Sequence, residues 1–115
     1  MSGQSKSPVR AVRNEGQAIV VELVGDIDLH RSAELQQELI KLAERASDQL
    51  ILDLHEVRYM DSSGVASLVK LLASVRRRNC ELKLCRLSER VRSMFEITRL
   101  DSVFGIYDSV AEALG

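Results

Sequence analysis

The fold of this chain depends on one stretch, YMDSSGVASLVKLL, which spans residues 59–72. It follows an apolar run, LILDL at residues 50–54, that is typical of a buried strand. After the stretch begins, apolar residues recur at helical spacing and predict the buried stripe of a helix running to about Arg78: Val65, Leu68, Val69, Leu72 and Val75. Polar residues predict its solvent-facing side: Ser67, Lys70, Ser74 and Arg77. Residues 61–64, DSSG, are therefore expected to lie where a loop becomes a helix.

The start of a helix has a chemistry of its own. Its first backbone N–H groups lack partners, and the helix dipole places partial positive charge there. Ser62 or Ser63 is expected to cap the helix by accepting one of those hydrogen bonds. The same place would stabilise a phosphate on a serine oxygen, and Gly64 would leave the backbone open to a partner or a phosphate. From these residues alone, a capped helix without further function is the alternative.

Two motifs give the chain a family resemblance. MDSSG at residues 60–64 resembles the signature of the STAS family, named for sulfate transporters and anti-sigma factor antagonists, and GDID at residues 25–28 resembles a second motif of that family. Both occur in the family's order, and the likeness covers about residues 9–114, nearly the whole chain. Among single-domain members the chain is most similar to the stand-alone anti-sigma factor antagonists.

The resemblance implies a phosphorylation-controlled binding module. Such a protein, when unphosphorylated, binds an anti-sigma factor that is also a serine kinase, and so releases a sigma factor. By alignment with the motif, Ser62 is the expected phosphorylation site, with Ser63 as the alternative, and a serine phosphatase would reverse the modification. The partner-binding surface is expected to include Asp26, Asp28, Asp61, Ser63, Gly64, Ser67 and Lys70. For Asp26 and Asp28, a turn and a helix cap are the alternative.

Two other classes of function remain open at this point. The chain could be a constitutive scaffold, or an accessory subunit of a lipid-transport ATPase or signalling assembly, with the same helix as a permanent docking face. An enzyme would need Asp53 and Asp61 to act as paired catalytic carboxylates or magnesium ligands. No phosphate-binding lysine motif and no general base with a clear substrate lies near them, so an acidic rim near Ser62 is the favoured interpretation. We therefore expect no catalytic residues, no cofactor and no metal site.

The composition sets further limits. With 115 residues, 45% of them hydrophobic, the chain has room for one domain with a real core. A formal net charge of −1 and 3% aromatic residues argue against nucleic-acid binding. Residues 1–8 are expected to be a flexible tail without the apolar region of a signal peptide, and residues 9–115 to form the STAS domain. No stretch is apolar for the length of a membrane span, so we expect a cytoplasmic protein without membrane insertion, as a monomer or weak dimer.

The remaining patterns complete a single-domain α/β fold. Strands are predicted at residues 9–12, 18–24, 50–54, 81–86 and 103–107, with a turn at 14–16 and a loop at 55–59. Helices are predicted after Asp28, Ser88 and Ser109 as N-caps, the first of them with Leu35, Leu39, Leu42 and Ala46 buried. Together these elements predict a STAS-like, mixed four- to five-stranded sheet with about four helices packed mostly on one face.

The two cysteines flank residues 81–84 of the predicted fourth strand. Cys80 and Cys85 are too far apart along one strand to form a disulfide bond without a bend. No Cys-x-x-Cys motif is present, and His30 and His55 are isolated, so metal binding is not indicated. Both are expected to be structural thiols.

Overall fold

One mixed sheet organises the molecule. A computed structural model describes residues 7–46 and 48–115. The elements in those residues are β1 (Val9–Glu15), β2 (Ala18–Ile27), α1 (Leu29–Ala43), β3 (Gln49–Met60), α2 (Ser62–Arg76), β4 (Glu81–Cys85), α3 (Glu89–Ile97), β5 (Gly105–Tyr107) and α4 (Val110–Leu114). The strand order is β1-β2-β3-β4-β5, with β1 antiparallel to β2 and the other neighbours parallel. The predicted fold class is confirmed.

The two faces of the sheet are covered by different helices. Because side chains alternate along a strand, β2 sends Ile19, Val21 and Leu23 to one face and Ala18 and Val20 to the other. The first set belongs to the main core, with the apolar sides of α1, α2 and α3. The second set packs in a smaller cluster beneath α4. Three helices therefore cover one face and α4 covers part of the other.

The third strand is longer than the sequence pattern indicated. Residues 55–59, which were predicted to form a loop, continue β3 as far as Met60. They do so because β2 also extends to Ile27 and pairs with them in parallel. Two register shifts, between Glu22 and Val24 and between Gly25 and Asp26, break the simple alternation of buried and exposed residues. This part of the strand therefore lacks the period of two by which strands are predicted.

The second helix is rotated relative to the predicted stripe. Leu71 is fully buried in place of Val69, whose side chain is 38% exposed. Ser67 was predicted to face solvent, yet it is only 6% exposed. The Ser67 hydroxyl lies 3.2 Å from the carbonyl oxygen of Ser32 in α1, so the side of α2 that carries Ser67 packs on that helix. The helix also ends at Arg76 rather than Arg78.

The first helix is shorter than predicted. It ends at Ala43, which is buried together with Leu35 and Leu39. Leu42 is only half-buried, and Ala46 is buried beyond the end of the helix.

Three of the four predicted helix starts are confirmed by their hydrogen bonds. The Asp28 carboxylate accepts from the N–H groups of His30 and Arg31 at 3.0 and 3.2 Å. The Ser88 hydroxyl accepts from Val91 N–H at 3.2 Å, and the Ser109 hydroxyl accepts from Glu112 N–H at 3.0 Å. These side chains fix where α1, α3 and α4 begin.

The predicted tail, residues 1–8, lies for the most part outside the described residues. Its last two residues are held against the domain. The Ser7 hydroxyl donates to the Glu38 carboxylate at 2.7 Å, and the Pro8 carbonyl accepts from Val24 N–H at 2.9 Å. Ser7 and Pro8, which were expected to belong to the flexible tail, therefore contact the domain.

Candidate functional site

The two motifs meet at one edge of the sheet. β2 and β3 end side by side, with Asp26 opposite Tyr59 and Ile27 opposite Met60 in the parallel register. The N–H of Asp61 then donates to the carbonyl oxygen of Ile27 at 3.2 Å. Both strands lead directly into helices, so the starts of α1 and α2 lie together at the carboxyl edge of this strand pair.

The N-cap of α2 is Asp61, not a serine. Its carboxylate accepts from Gly64 N–H at 3.1 Å, and its carbonyl accepts from Val65 N–H at 3.1 Å. The prediction that Ser62 or Ser63 caps the helix is therefore wrong. A carboxylate one residue earlier already occupies the capping position, which leaves the serine side chains free of that role.

Ser62 is the first residue of α2, and its side chain is exposed. Within residues 7–46 and 48–115 its hydroxyl makes no hydrogen bond. The neighbouring Ser63 is half-buried, and its carbonyl accepts a hydrogen bond from the Ser67 hydroxyl at 3.1 Å. The Ser63 hydroxyl also makes no hydrogen bond among the described residues, so the two serines differ in exposure: Ser62 is exposed and Ser63 is half-buried.

Gly64 has a different reason to be glycine from the one predicted. It is buried, and a Cβ at this position would lie 2.6 Å from Met60 Cγ and 2.8 Å from the carbonyl oxygen of Ile27. Real Cβ atoms do not approach other atoms so closely. The glycine therefore allows the first turn of α2 to pack against the ends of β2 and β3, and it does not open the backbone to a partner.

The structure separates the predicted partner-binding residues into two groups. Gly64 and Ser67 are buried, so neither is available for contact from outside. Asp26 and Lys70 are exposed, and Asp28, Asp61 and Ser63 are half-buried. The carboxylates of Asp28 and Asp61 cap α1 and α2, and for Asp28 this cap is the alternative that the sequence left open.

Sequence reasoning missed an aromatic residue at this edge. Tyr59 is 41% exposed and lies under the Arg90 guanidinium, whose central carbon is 5.9 Å from the ring centroid. Such a pair adds a flat, partly apolar surface next to Asp26. The scarcity of aromatic residues in this chain, together with the position directly before MDSSG, was the available signal.

Asp53 does not belong to this edge. It is buried, pairs with Arg86 at 3.3 Å and accepts from His55 N–H at 3.1 Å. It precedes Asp61 by eight positions along β3 and the extended N-cap that follows it, a separation of about 26 Å. The two carboxylates therefore cannot act on one substrate, and Asp53 is not part of an acidic rim around Ser62.

Asp53 instead lines a cavity of about 280 Å³ on the face of the sheet that α4 partly covers. Charged side chains that line this cavity form ion pairs with one another: Arg10 lies 3.7 Å from Glu56, and Arg13 lies 3.1 Å from Glu22. Among the described residues no group of His, Cys, Asp and Glu side chains could hold a metal ion.

Both cysteines are buried free thiols. Burial raises the pKa of the Cys80 thiol, and burial together with the charge of Asp53 raises the pKa of Cys85 to about 11. Their thiolate forms are therefore disfavoured, as in structural rather than reactive cysteines.

In the part of the chain that the structure covers, no helix is both long and apolar enough to cross a bilayer.

Comparison with known proteins identifies the class to which this fold and site belong. The model of the STAS domain matches residues 9–113, so the chain belongs to the STAS domain family. It is 36% identical over 95 residues to the anti-sigma-B factor antagonist of Bacillus subtilis (strain 168), across 83% of this chain and 86% of that protein. The predicted family is thereby confirmed.

Solved structures share the fold. An anti-sigma-factor antagonist (STAS) domain protein from Planctomyces limnophilus matches with a TM-score of 0.82 at 21% identity, over 92% of this chain and 94% of that one. The Bacillus cell fate determinant SpoIIAA, in its phosphorylated form, matches with a TM-score of 0.66 at 20% identity, over 90% of this chain and 96% of that one.

Proposed function

We propose that this chain is an anti-sigma factor antagonist controlled by phosphorylation of Ser62. In the unphosphorylated state it binds an anti-sigma factor that is also a serine kinase, and so releases a sigma factor in the cytoplasm. The name of the Bacillus subtilis relative supports the antagonist role, and the existence of SpoIIAA in a phosphorylated form supports the modification. The observation that carries the choice of Ser62 is its exposed hydroxyl, without a hydrogen bond among the described residues, at the first position of α2.

The position of Ser62 suits a residue that must carry a phosphate without unfolding its helix. A phosphate adds a charge of about −1.5 to −2, and the N-terminus of a helix favours negative charge. Asp61 already supplies one carboxylate there, and it keeps the Gly64 N–H for itself at 3.1 Å. The added phosphate would therefore sit beside a carboxylate on an already acidic edge that includes Asp26.

This charge change would weaken the complex. A partner surface that fits a neutral hydroxyl next to Asp26 and Asp61 would meet a bulky dianion in the same place. Uncompensated charge in an interface costs several kcal/mol, which reduces affinity by orders of magnitude. Asp26, Asp28, Asp61, Ser63 and Lys70 remain the proposed contact residues, and the buried Gly64 and Ser67 act through packing.

The chain needs no catalytic machinery for this role. The anti-sigma factor kinase would supply ATP and the groups that transfer the phosphoryl group, and a serine phosphatase would remove it. The chain supplies the acceptor hydroxyl and the docking surface. We therefore expect the purified protein to show no turnover of its own.

The test compares Ser62→Ala, Ser62→Asp and the matched control Ser63→Ala. Ser62→Ala should bind the cognate anti-sigma factor as the parent does but take up no phosphate from it. Ser62→Asp should bind more weakly, and Ser63→Ala should still be phosphorylated. Calorimetric titration measures binding, and intact mass after incubation with kinase and ATP measures phosphorylation. If Ser62 takes up no phosphate and both Ser62 variants bind like the parent, the switch is refuted and a constitutive scaffold role is favoured.

A further inference from the structure

An apolar groove opens directly beside Ser62. It has a volume of about 360 Å³ and lies between the outer side of α2 and the segment that follows α3. Ser62 lines the groove together with Lys70 and five residues that have small or apolar side chains: Val65, Ala66, Val69, Thr98 and Leu100. The proposed phosphorylation site is thus part of the groove wall.

The groove leaves apolar surface uncovered. Val69 is 38% exposed although it belongs to a helix whose other large apolar residues are buried. Ile97, one residue before the lining residue Thr98, is 77% exposed. A concave site with mostly apolar walls and a few polar groups, here including Ser62 and Lys70, is typical of binding sites.

One cation lies on the groove wall. Lys70 is exposed and, within residues 7–46 and 48–115, forms no ion pair or hydrogen bond with another side chain. The chain thus presents an apolar cleft with a single unpaired positive charge. Its complement is an apolar side chain with a carboxylate close to it.

We propose that this groove receives an apolar side chain of the anti-sigma factor, with a partner carboxylate beside it pairing with Lys70. The inference rests on the proposed function and extends it, because the groove is continuous with the site at Ser62. It adds Val69 and Leu100, which neither motif contains, to the surface that recognises the partner.

The groove also defines a second way in which a phosphate opposes binding. When a side chain fills the groove, the wall at Ser62 is removed from water. A hydroxyl loses little in that transfer, whereas a phosphate dianion would lose much of its hydration without a new partner. Phosphorylation would thus oppose apolar docking as well as adding repulsive charge.

The decisive experiment places the same charge inside and outside the groove. Val69→Asp alters the groove, and Val103→Asp is the matched control, because Val103 is 40% exposed and does not line it. In calorimetric titration with the cognate, purified anti-sigma factor, Val69→Asp should weaken binding by about tenfold or more, and Val103→Asp by less than about twofold. Thermal melts establish that both variants are folded, and Val69→Ser replaces Val69→Asp if the latter is not.

The outcomes separate this inference from the proposed function. If Ser62→Asp weakens binding and both valine variants bind like the parent, the groove is not used, although the switch stands. If no variant weakens binding, the proposed function fails as well. Sedimentation velocity of the chain alone tests a second copy as the occupant. A concentration-dependent dimer that disappears in Val69→Asp, with partner binding unchanged, would overturn the proposal.

Discussion

At Gly64 the start of α2 and the ends of two strands are packed so closely that one methyl group has no room. Replacing glycine by alanine within a helix normally stabilises a protein by about 1 kcal/mol. Here we expect Gly64→Ala to destabilise by about 1–3 kcal/mol, because the new Cβ would meet Met60 and the Ile27 carbonyl at under 3 Å. Urea unfolding measures the change, with Ser63→Ala as the control at the adjacent helical position. A gain in stability for Gly64→Ala would show that the strand ends can yield.

The capping hydrogen bond at Asp61 allows a second comparison between adjacent residues. Asp61→Ala should cost about 0.5–2 kcal/mol, since it removes the acceptor of Gly64 N–H. Ser62→Ala should change the free energy of unfolding by less than about 0.5 kcal/mol, because its exposed hydroxyl bonds to none of the described residues. Thermal or urea unfolding distinguishes the two, and equal losses would contradict the assignment of Asp61 as the cap.

The sequence could not decide among these capping residues. Aspartate and serine are both favoured N-caps, and DSSG contains three such residues in a row, Asp61, Ser62 and Ser63. The choice follows from β3, which delivers Asp61 in an extended conformation with its N–H bonded to Ile27. That long-range contact is invisible in a local pattern, as are the contacts that a Cβ at Gly64 would make.

At the scale of elements, the rotation of α2 decides which residues stabilise the core. We expect Leu71→Ala to cost about 2–5 kcal/mol, because Leu71 is fully buried. Val69→Ala should cost less than about 1 kcal/mol, because the Val69 side chain already faces solvent in part. Chemical denaturation of the two variants measures the difference. Similar losses of stability for both variants would mean that Val69 belongs to the buried side of α2, as the sequence pattern predicts.

The pattern of α2 was ambiguous for a physical reason. Val65, Leu68, Leu72 and Val75 form a stripe that either Val69 or Leu71 can extend on one side. Apolar residues occur on both sides because one side packs on α1 and the other lines the groove. The number and order of elements were predictable from hydrophobic periodicity, whereas the orientation of a helix apolar on two sides was not.

At the scale of the whole molecule, α4 should protect the second face of the sheet. Cys85 lies in the cluster under this helix and Cys80 lies in the main core, so their thiols report on different faces. In a Cys80→Ser background, Ala113→Asp should loosen α4 and accelerate labelling of Cys85 by a thiol reagent. Ala111→Asp is the control, because Ala111 is exposed on the same helix. Equal labelling rates in the two variants would mean that α4 does not cover Cys85.

The raised pKa of Cys85 predicts how stability depends on pH. Its pKa rises from 9.0 to about 11 through burial first and the Asp53 charge second, so the folded state holds the proton more tightly than the unfolded state. The resulting stabilisation is complete below pH 9 and is lost as the pH rises towards about 11. The stability advantage of the parent over Cys85→Ala should therefore be larger at neutral pH than at about pH 10.5. Urea midpoints at the two pH values measure it, and a constant advantage would contradict the shift.

The family, the sheet and the edge that carries the site could be predicted from two motifs and their spacing. The exposed groove could not, because it joins the outer side of α2 to residues about thirty positions further along the chain. Local patterns report the period of each element, but they do not report which surfaces two distant elements leave uncovered between them.

The tight join between α2 and the strand ends has a consequence for timing. The hydrogen bond from Asp61 to Ile27 and the close packing at Gly64 hold the first helical turn in place, so a group added to Ser62 would leave no slow rearrangement to follow. The modified and unmodified forms would then share one backbone arrangement at the start of α2. If a kinase and a phosphatase act on Ser62 as proposed, the ratio of the two forms in a cell would record the recent balance of their activities, and those enzymes alone would set the delay of the response.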